Sequence, residues 1–252
     1  YGSQIKRELT GNIARVKGKD IENMPLPSVD AALQGKAAGV FVNSQSGKLG
    51  QAVTVRIRGN SSISANSQPL YVVDGVPITT DDQSSYGGDM NPLTDLNPND
   101  IESVEVLKDA SAGAIYGSRA SNVVILITTK KGKKGKTRFN FSAQGFVQTP
   151  AGKVDVLSAD DVRSIVAAKG TPAQAALLGK ESTDWQDQVF RNAFAQDFNL
   201  SATGAFGDGK FPFRISGGYL NQDGILKTGN FQRFTGALNL SPSFFNNKLK
   251  VD

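Results

Sequence analysis

The chain has 252 residues, with 28 basic and 23 acidic side chains, a formal net charge of +5, no cysteine and no histidine. Without those two residue types there is no disulfide, no cysteine nucleophile, no Ser-His-Asp triad, and no zinc or haem site of the usual ligand set. The longest apolar run, residues 123–127, is far shorter than the roughly 18 residues of a membrane-spanning helix. The composition therefore argues against familiar enzyme chemistry, and any crossing of a membrane would be made by strands.

The first part of the chain is predicted to form short strands separated by turns. Val53, Val55 and Ile57 alternate with polar residues, a period of two that predicts a half-buried strand. Further strands are predicted at 70–73, 101–107 and 123–129, and short helices at 26–38 and 109–116. An Asp-Gly turn predicts a return strand at 76–78, which Pro77 confines to a sheet edge. These elements predict a compact α+β domain over residues 1–130.

A basic cluster follows this domain. It consists of Lys130, Lys131, Lys133, Lys134, Lys136 and Arg138. Such clusters bind nucleic acid or anionic lipid in some proteins. This cluster carries no aromatic side chains on which bases would stack, and it joins two structured parts. We interpret residues 131–138 as a solvated basic linker and expect no nucleic-acid partner.

The second part has a different composition, since 13 of the 14 phenylalanines follow residue 138. In 139–145, 198–204, 211–219 and 234–240, apolar or small residues alternate with Asn, Ser, Gln and Thr. This alternation is typical of outer-membrane strands, which face lipid on one side and a water-filled lumen on the other. Aromatic residues near the predicted strand ends would form interfacial girdles: Phe139, Phe198, Phe206, Phe211, Tyr219 and Phe231.

The connections between these strands also fit an outer-membrane barrel. Residues 207–210 form a tight turn, whereas residues 149–196 form a long loop with a predicted helix capped by Ser158. Four strands cannot close a barrel, because open edges would leave backbone groups unpaired in hydrocarbon. The predicted fold class is an α+β domain followed by antiparallel transmembrane β-barrel strands, with residues 139–252 as the first four strands of an incomplete barrel. We expect further strands to follow; the alternative is assembly of several chains.

Several motifs together resemble the SusC/RagA family of TonB-dependent outer-membrane transporters of Bacteroidetes-type bacteria. They are LQGKAAGV at 33–40, VRIRG at 55–59, SI at 62–63, PLYVVDGVP at 69–77, NP at 97–98, DIES at 100–103, VLKDA at 106–110, AIYG at 114–117 and ITTKKG at 127–132. Past the linker, TDWQ at 183–186 and GYLNQDG at 218–224 resemble the first extracellular loop and the following hairpin. Two departures are Val123, where the family often has glycine, and residues 48–50, which lack the common proline.

The resemblance implies that residues 1–130 are a plug domain in the cell outer membrane. It implies active import of a large nutrient, a glycan (oligosaccharide) or a peptide, with outer-membrane lipid around the barrel. The implied partners are the TonB complex of the inner membrane and a SusD-like surface lipoprotein that acts as a lid. It implies no cofactor, no metal and no enzymatic activity. The TonB box of the family is not within this chain.

The resemblance also supplies candidate site residues. It assigns to Arg58 and Lys108 a latch that holds the plug to barrel carboxylates, the alternative being ordinary solvated surface. It places two polar loops towards the substrate cavity, the alternative being plain polar loops. Their candidate residues are Ser61, Ser62, Asn66, Gln68, Asp81, Asp82, Tyr86 and Asp89. Calcium binding by Asp81, Asp82 and Asp89 has weak support, because their spacing fixes no ligand geometry.

Two other functions remain open from the sequence. One is a non-transporting surface barrel, such as an adhesin or a secretion-associated receptor. The other is a soluble basic binding or regulatory domain with an attached β region.

Overall fold

A computed structural model of the chain describes residues 13–22, 24, 28–44, 49–51, 53–57, 69–78, 92–108, 116, 123–207, 209–244 and 249–250. The strands are β1 Ile13–Lys17, β2 Val40–Ser44, β3 Val53–Ile57, β4 Leu70–Val73, β5 Val76–Ile78, β6 Ile101–Leu107, β7 Val124–Thr129, β8 Arg138–Gln148, β9 Ala193–Phe206, β10 Phe211–Asp223, β11 Asn230–Leu240, β12 Ser243–Phe244 and β13 Leu249–Lys250. The α-helices are α1 Ala159–Lys169, α2 Pro172–Ala176 and α3 Trp185–Val189.

The first five-stranded sheet, here called the N-terminal sheet, has the order β1-β6-β7-β4-β5. Strand β6 pairs antiparallel with β1 and β7, and β4 pairs parallel with β7. Val124, Ile125 and Ile127 of β7 are buried, as the continuous apolar run predicts. Strand β5, which contains Pro77, lies at the sheet edge as predicted.

The hydrophobic core of the described chain lies in the N-terminal part. Both clusters of buried apolar side chains consist of residues between 13 and 127. Tyr71 is buried in this core, and its hydroxyl has no hydrogen-bond partner among the described residues. Burial raises the pKa of Tyr71 well above its usual value, and the nearby negative charge of Asp30 raises it further.

Two strands and one helix of the N-terminal part differ from the sequence prediction. Strands β1 and β2 were not predicted, and β2 pairs antiparallel with β3 in a separate two-stranded sheet. The predicted helix at 26–38 is wrong, because residues 28–39 hold only a 3₁₀ turn, Ala31–Leu33, capped by Asp30. Gly35 and Gly39 have φ values of 71° and 73°, a left-handed conformation that interrupts a helix. Apart from Tyr116, the predicted helix at 109–116 lies outside the described residues.

The second large sheet, here called the C-terminal sheet, has the order β11-β10-β9-β8 and is entirely antiparallel. Its strands confirm the four predicted from the alternating pattern and extend each of them. Gly207 and Gly209 have φ values of 58° and 85°, which the tight turn between β9 and β10 requires. Sequence-adjacent strands are thus neighbours in space.

The two faces of the C-terminal sheet have the reverse polarity of a sheet in a soluble protein. One face, the outer face, is exposed and apolar. Its large apolar side chains include Phe139, Phe141, Val147, Phe194, Phe198, Leu200, Ile215, Phe234 and Leu238. The opposite, inner face carries buried polar residues such as Asn199, Ser201, Gln222 and Arg233. This arrangement is that of a membrane-barrel wall seen from lipid and from lumen.

One predicted girdle residue lies on the other face. Phe231 pairs with Gln222 on the inner face, and its ring lies so close to Gly50 that a Cβ atom there would approach it to 2.9 Å. The prediction that Phe231 faces lipid is therefore wrong. The strand begins at Asn230, four residues before Phe234, and Phe231 lies three residues before Phe234. An odd separation along a strand places two side chains on opposite faces, so Phe231 is out of phase with Phe234, Gly236 and Leu238.

The long connection between β8 and β9 carries the three α-helices found among the described residues. Helix α1 begins with a capping box in which the Ser158 hydroxyl accepts a hydrogen bond from the Asp161 amide at 3.1 Å. Reciprocal hydrogen bonds from the Ser158 hydroxyl and amide lower the pKa of Asp161. The helix predicted after Ser158 is confirmed. No helix within the described ranges is long and apolar enough to cross a membrane.

Candidate functional site at the contact between the two sheets

Most of the predicted site residues lie outside the described part of the chain. These are Arg58, Ser61, Ser62, Asn66, Gln68, Asp81, Asp82, Tyr86 and Asp89. Lys108 is described and is half-buried directly after β6, and it forms no ion pair with the described residues. The latch assigned to Arg58 and Lys108, and the substrate-facing loops, remain predictions.

The segment between β5 and β6 makes the principal contact with the inner face of the C-terminal sheet. Residues 92–100 of this segment form two 3₁₀ turns, Pro92–Asp95 and Pro98–Asp100. The Asn97 side chain caps the second turn by accepting a hydrogen bond from the Asn99 amide at 2.9 Å. Pro98 stands at the start of that turn, where its missing N–H costs no hydrogen bond. The local sequence therefore presents Asn97 and Asp100 in fixed positions.

Asn97 joins the two sheets through its amide nitrogen. Its Nδ2 donates to Oδ1 of Asn199 on β9 at 2.6 Å and to Oγ1 of Thr235 on β11 at 3.1 Å. Between those strands lies Gly218 of β10, where a Cβ atom would come within 2.4 Å of the Asn97 nitrogen. The close approach of Asn97 therefore requires glycine at position 218.

Two arginines of the inner face provide the charged part of the contact. Arg214 of β10 donates to Oδ1 of Asp100 at 2.7 Å, and the two side chains are only 11% and 15% exposed. Arg233 of β11 is 8% exposed and donates to the backbone carbonyl of Thr94 at 2.8 Å. These hydrogen bonds and the Asn97 contacts hold residues 92–100 against the inner face.

Sequence reasoning missed this contact, although a signal for it was present. The resemblance assigns a latch to Arg58 and Lys108 and gives no such role to Asp100, which lies within the DIES motif at 100–103. Arg214 and Arg233 each occupy the polar phase of an alternating strand. Because a cation in that phase must face the interior, it needs a partner, and only the fold shows that residues 92–100 provide one.

Lys130, which directly precedes the linker, is fixed to the N-terminal part, and Gly132 of the linker packs against the C-terminal sheet. The Lys130 ammonium contacts Glu22 and donates to the Asn99 carbonyl at 2.8 Å, while its backbone amide donates to the Asp100 carbonyl at 2.7 Å. Gly132 lies so close to β10 that a Cβ atom would come within 2.4 Å of the Phe213 backbone nitrogen. A residue with a Cβ atom at position 132 would therefore clash with the backbone of β10.

A basic cavity of about 1110 Å³ lies beside this contact. Its lining comes from β1 and the following turn, residues 97–102, the linker, and the inner face of β8 to β10. Ten basic side chains line it and only three acidic ones, which are Glu22, Asp100 and Glu102. Two of these acids are already paired, Glu22 with Lys130 and Asp100 with Arg214.

Comparison with known proteins places both parts of the chain among TonB-dependent receptors. Residues 5–124 match the TonB-dependent Receptor Plug Domain family. The TonB-dependent receptor SusC of Bacteroides thetaiotaomicron is 44% identical over 255 residues, which is 100% of this chain and 25% of that protein. The TonB-dependent receptor P3 of Formosa agariphila is 38% identical over 236 residues, 93% of this chain and 22% of that protein.

Among solved structures, the RagAB peptide importer in the open-open state superposes with a TM-score of 0.83 at 28% identity. The match covers 97% of this chain and 30% of the RagAB chain. The present chain thus spans about a quarter of the length of the curated relatives that it matches.

Proposed function

Because the chain belongs to the SusC/RagA family of TonB-dependent receptors, we propose that the whole receptor imports a large nutrient across the outer membrane. In this proposal residues 1–130 are the plug, residues 131–138 the linker, and residues 139–252 the first strands of the barrel wall. Import is powered by the TonB complex, and a SusD-like lipoprotein covers the outside. Relatives of the chain are receptors and transporters rather than enzymes.

One observation supports this function more than any other. The C-terminal sheet exposes an apolar face while its polar face contacts the N-terminal domain, as the wall of a plugged barrel does. The same exposed face speaks against a soluble regulatory domain, in which Phe139 and Phe234, both 77% exposed, would be in water. A glycan and a peptide both remain candidate substrates, and the RagAB comparison supports the peptide.

Import through this wall requires residues 92–100 to leave the inner face. The contact is therefore a place where the plug can be locked. Cysteines at positions 97 and 218 would have Cβ atoms within about 5 Å of each other, since a Cβ atom at 218 lies 2.4 Å from the Asn97 nitrogen. A disulfide has about 3.5–4.5 Å between its Cβ atoms, just below this upper bound, and non-reducing gels report whether the pair forms one. These 252 residues contain no native cysteine.

The test is uptake by cells that carry the whole receptor with Asn97→Cys and Gly218→Cys together. Fluorescent pools of oligosaccharides and of peptides serve as probes. We expect the oxidised double variant to import neither pool, and reduction by dithiothreitol to restore whichever pool the wild type imports. The Asn97→Cys variant alone is the matched control and should be insensitive to oxidation.

Two outcomes would contradict the proposed function. The first is uptake at the wild-type rate while the disulfide is formed, as verified on non-reducing gels. The second is the absence of uptake of either pool by the wild type, together with equal growth of a deletion strain on both. That second outcome would favour the non-transporting surface barrel.

A further inference from the structure

The basic cavity beside the contact has cations on three sides. Arg15, Lys17 and Lys19 come from edge strand β1 and the turn after it, Lys133 and Lys136 come from the linker, and Arg138 begins β8. Of these six side chains only Arg15 forms an ion pair with a described residue, Glu105. The edge of the N-terminal sheet and the start of the C-terminal sheet therefore face each other with the same sign of charge.

Like charges on opposite walls of a cavity oppose the contact between the walls, and an anion between them removes that repulsion. The polar surface between the cations suits such an anion, because Asn140, Ser142 and Thr203 supply hydrogen-bonding groups from the wall. The cavity volume of about 1110 Å³ is slightly above the range of about 300–1,000 Å³ usual for small-molecule sites, so a phosphate-bearing molecule fits within it. Lysine and arginine together are the usual partners of phosphate oxygens, with arginine able to bind two of them at once.

We propose that this cavity binds a compact phosphate-bearing anion with at least two negative charges, which bridges β1, the linker and β8 and stabilises the docked position of the N-terminal domain. The anion can be a free phosphate compound or the headgroup of a membrane lipid, since both present the same oxygens. Asn97, Asn99 and Asp100 line one side of the same cavity, but the cations that would hold the anion come from β1, the turn after it, the linker and β8. The proposal does not depend on which nutrient is imported.

The experiment measures binding to the whole receptor in a non-ionic detergent at low ionic strength. Inorganic pyrophosphate is the free probe, and dihexanoyl phosphatidylglycerol is the lipid probe; calorimetry and phosphorus NMR give the affinity. The test variant combines Lys133→Gln, Lys136→Gln and Arg138→Gln. The matched control combines Lys36→Gln, Lys169→Gln and Lys180→Gln, which remove the same charge from exposed sites outside the cavity.

We expect the test variant to bind the probe at least about tenfold more weakly than wild type, and the control variant to bind as wild type does. A variant with Lys133→Arg and Lys136→Arg should keep the affinity, because it keeps the charge. Pyrophosphate should also slow hydrogen exchange in β1, Ile13–Lys17, if it bridges the sheets.

Each result decides the proposal. Selective binding of pyrophosphate supports a free anion, and selective binding of the lipid probe supports a headgroup. The proposal is overturned if neither probe binds to the wild type, or if the control variant loses as much affinity as the test variant. It is also overturned if binding leaves exchange in β1 unchanged, because the anion would then not bridge the two walls.

Discussion

Replacing Asp100 by asparagine tests whether the Arg214 ion pair holds the N-terminal domain to the wall. The pair is 2.7 Å long, and its side chains are 11% and 15% exposed, so solvent screens it little. Asparagine keeps the shape of the aspartate side chain and one oxygen that can accept a hydrogen bond from Arg214. The substitution therefore removes mainly the negative charge. A hydrogen bond to a charged group contributes about 1.5–3 kcal/mol, and removal of one partner of a buried pair costs about 3–5 kcal/mol. We therefore expect the docked position to lose about 2 kcal/mol.

A loss of about 2 kcal/mol corresponds to about a 30-fold increase in the population of the undocked state. Hydrogen exchange of the whole receptor, followed by mass spectrometry, reports this population where reclosing is fast. We expect peptides from residues 92–100 to exchange about 30-fold faster in Asp100→Asn. Peptides from β6 and β7 should keep their wild-type exchange, because these strands are held within their own sheet.

The matched control is Glu105→Gln, the same acid-to-amide change in the exposed Arg15 pair, whose side chains are 43% and 28% exposed. An exposed pair is worth at most about 1 kcal/mol, so exchange in residues 92–100 should change by less than about fivefold. The reasoning is refuted if Asp100→Asn stays within about threefold of wild type in that segment. It is equally refuted if β6 and β7 accelerate as much, since the domain would then be unfolding rather than undocking.

Three further predictions concern single positions, each measured by thermal unfolding of the whole receptor in detergent unless stated. Tyr71→Phe removes a buried hydroxyl that lacks a partner among the described residues, and should add about 1 kcal/mol of stability. Because the pKa of Tyr71 is raised on folding, the stability of the wild type should fall as the pH rises above about 10. The Tyr71→Phe variant has no hydroxyl to titrate at this position, so its stability should fall less over the same pH range. Ser158→Ala should cost helix α1 about 1 kcal/mol and speed its cleavage by a protease, whereas Ser164→Ala within the helix should not. Gly132→Ala should cost about 1–3 kcal/mol through its clash with the β10 backbone, and Gly152→Ala should be neutral because its Cβ atom meets nothing within 4 Å.

The strands of the C-terminal sheet could be predicted because their signal is local. A period of two in polarity specifies both the strand and its faces, and it located all four strands. Strand β1 was missed because Ile13, Ala14 and Val16 give too short an apolar pattern. The helix predicted at 26–38 was wrong because the cap at Ser28 and the acidic first turn at Asp30 are local signals, whereas the left-handed Gly35 and Gly39 interrupt the segment after Leu33.

The contact between the sheets could not be predicted in the same way, because its partners are far apart in the chain. Asn97 and Asn199 are 102 residues apart, and Asp100 and Arg214 are 114 residues apart. The alternation of polar and apolar residues within either segment does not indicate which distant side chain that segment contacts. A cation in the polar phase of a strand does predict that a partner exists, and Arg214 and Arg233 could have been singled out on that ground.

The chemistry of the contact suits the proposed function, in which the N-terminal domain leaves the wall and returns to it. The contact of residues 92–100 with the wall consists of amides, a hydroxyl, a carbonyl and an ion pair. Each such hydrogen bond is replaced by one to water when the domain leaves, and its net contribution is only about 1 kcal/mol. Separation of an apolar contact would instead expose apolar surface to water, which costs about 25 cal/mol of free energy for each Å². Polar contacts on the inner face therefore fix the geometry of the docked position and still allow the domain to separate from the wall at a low cost. The apolar outer face takes no part in this separation.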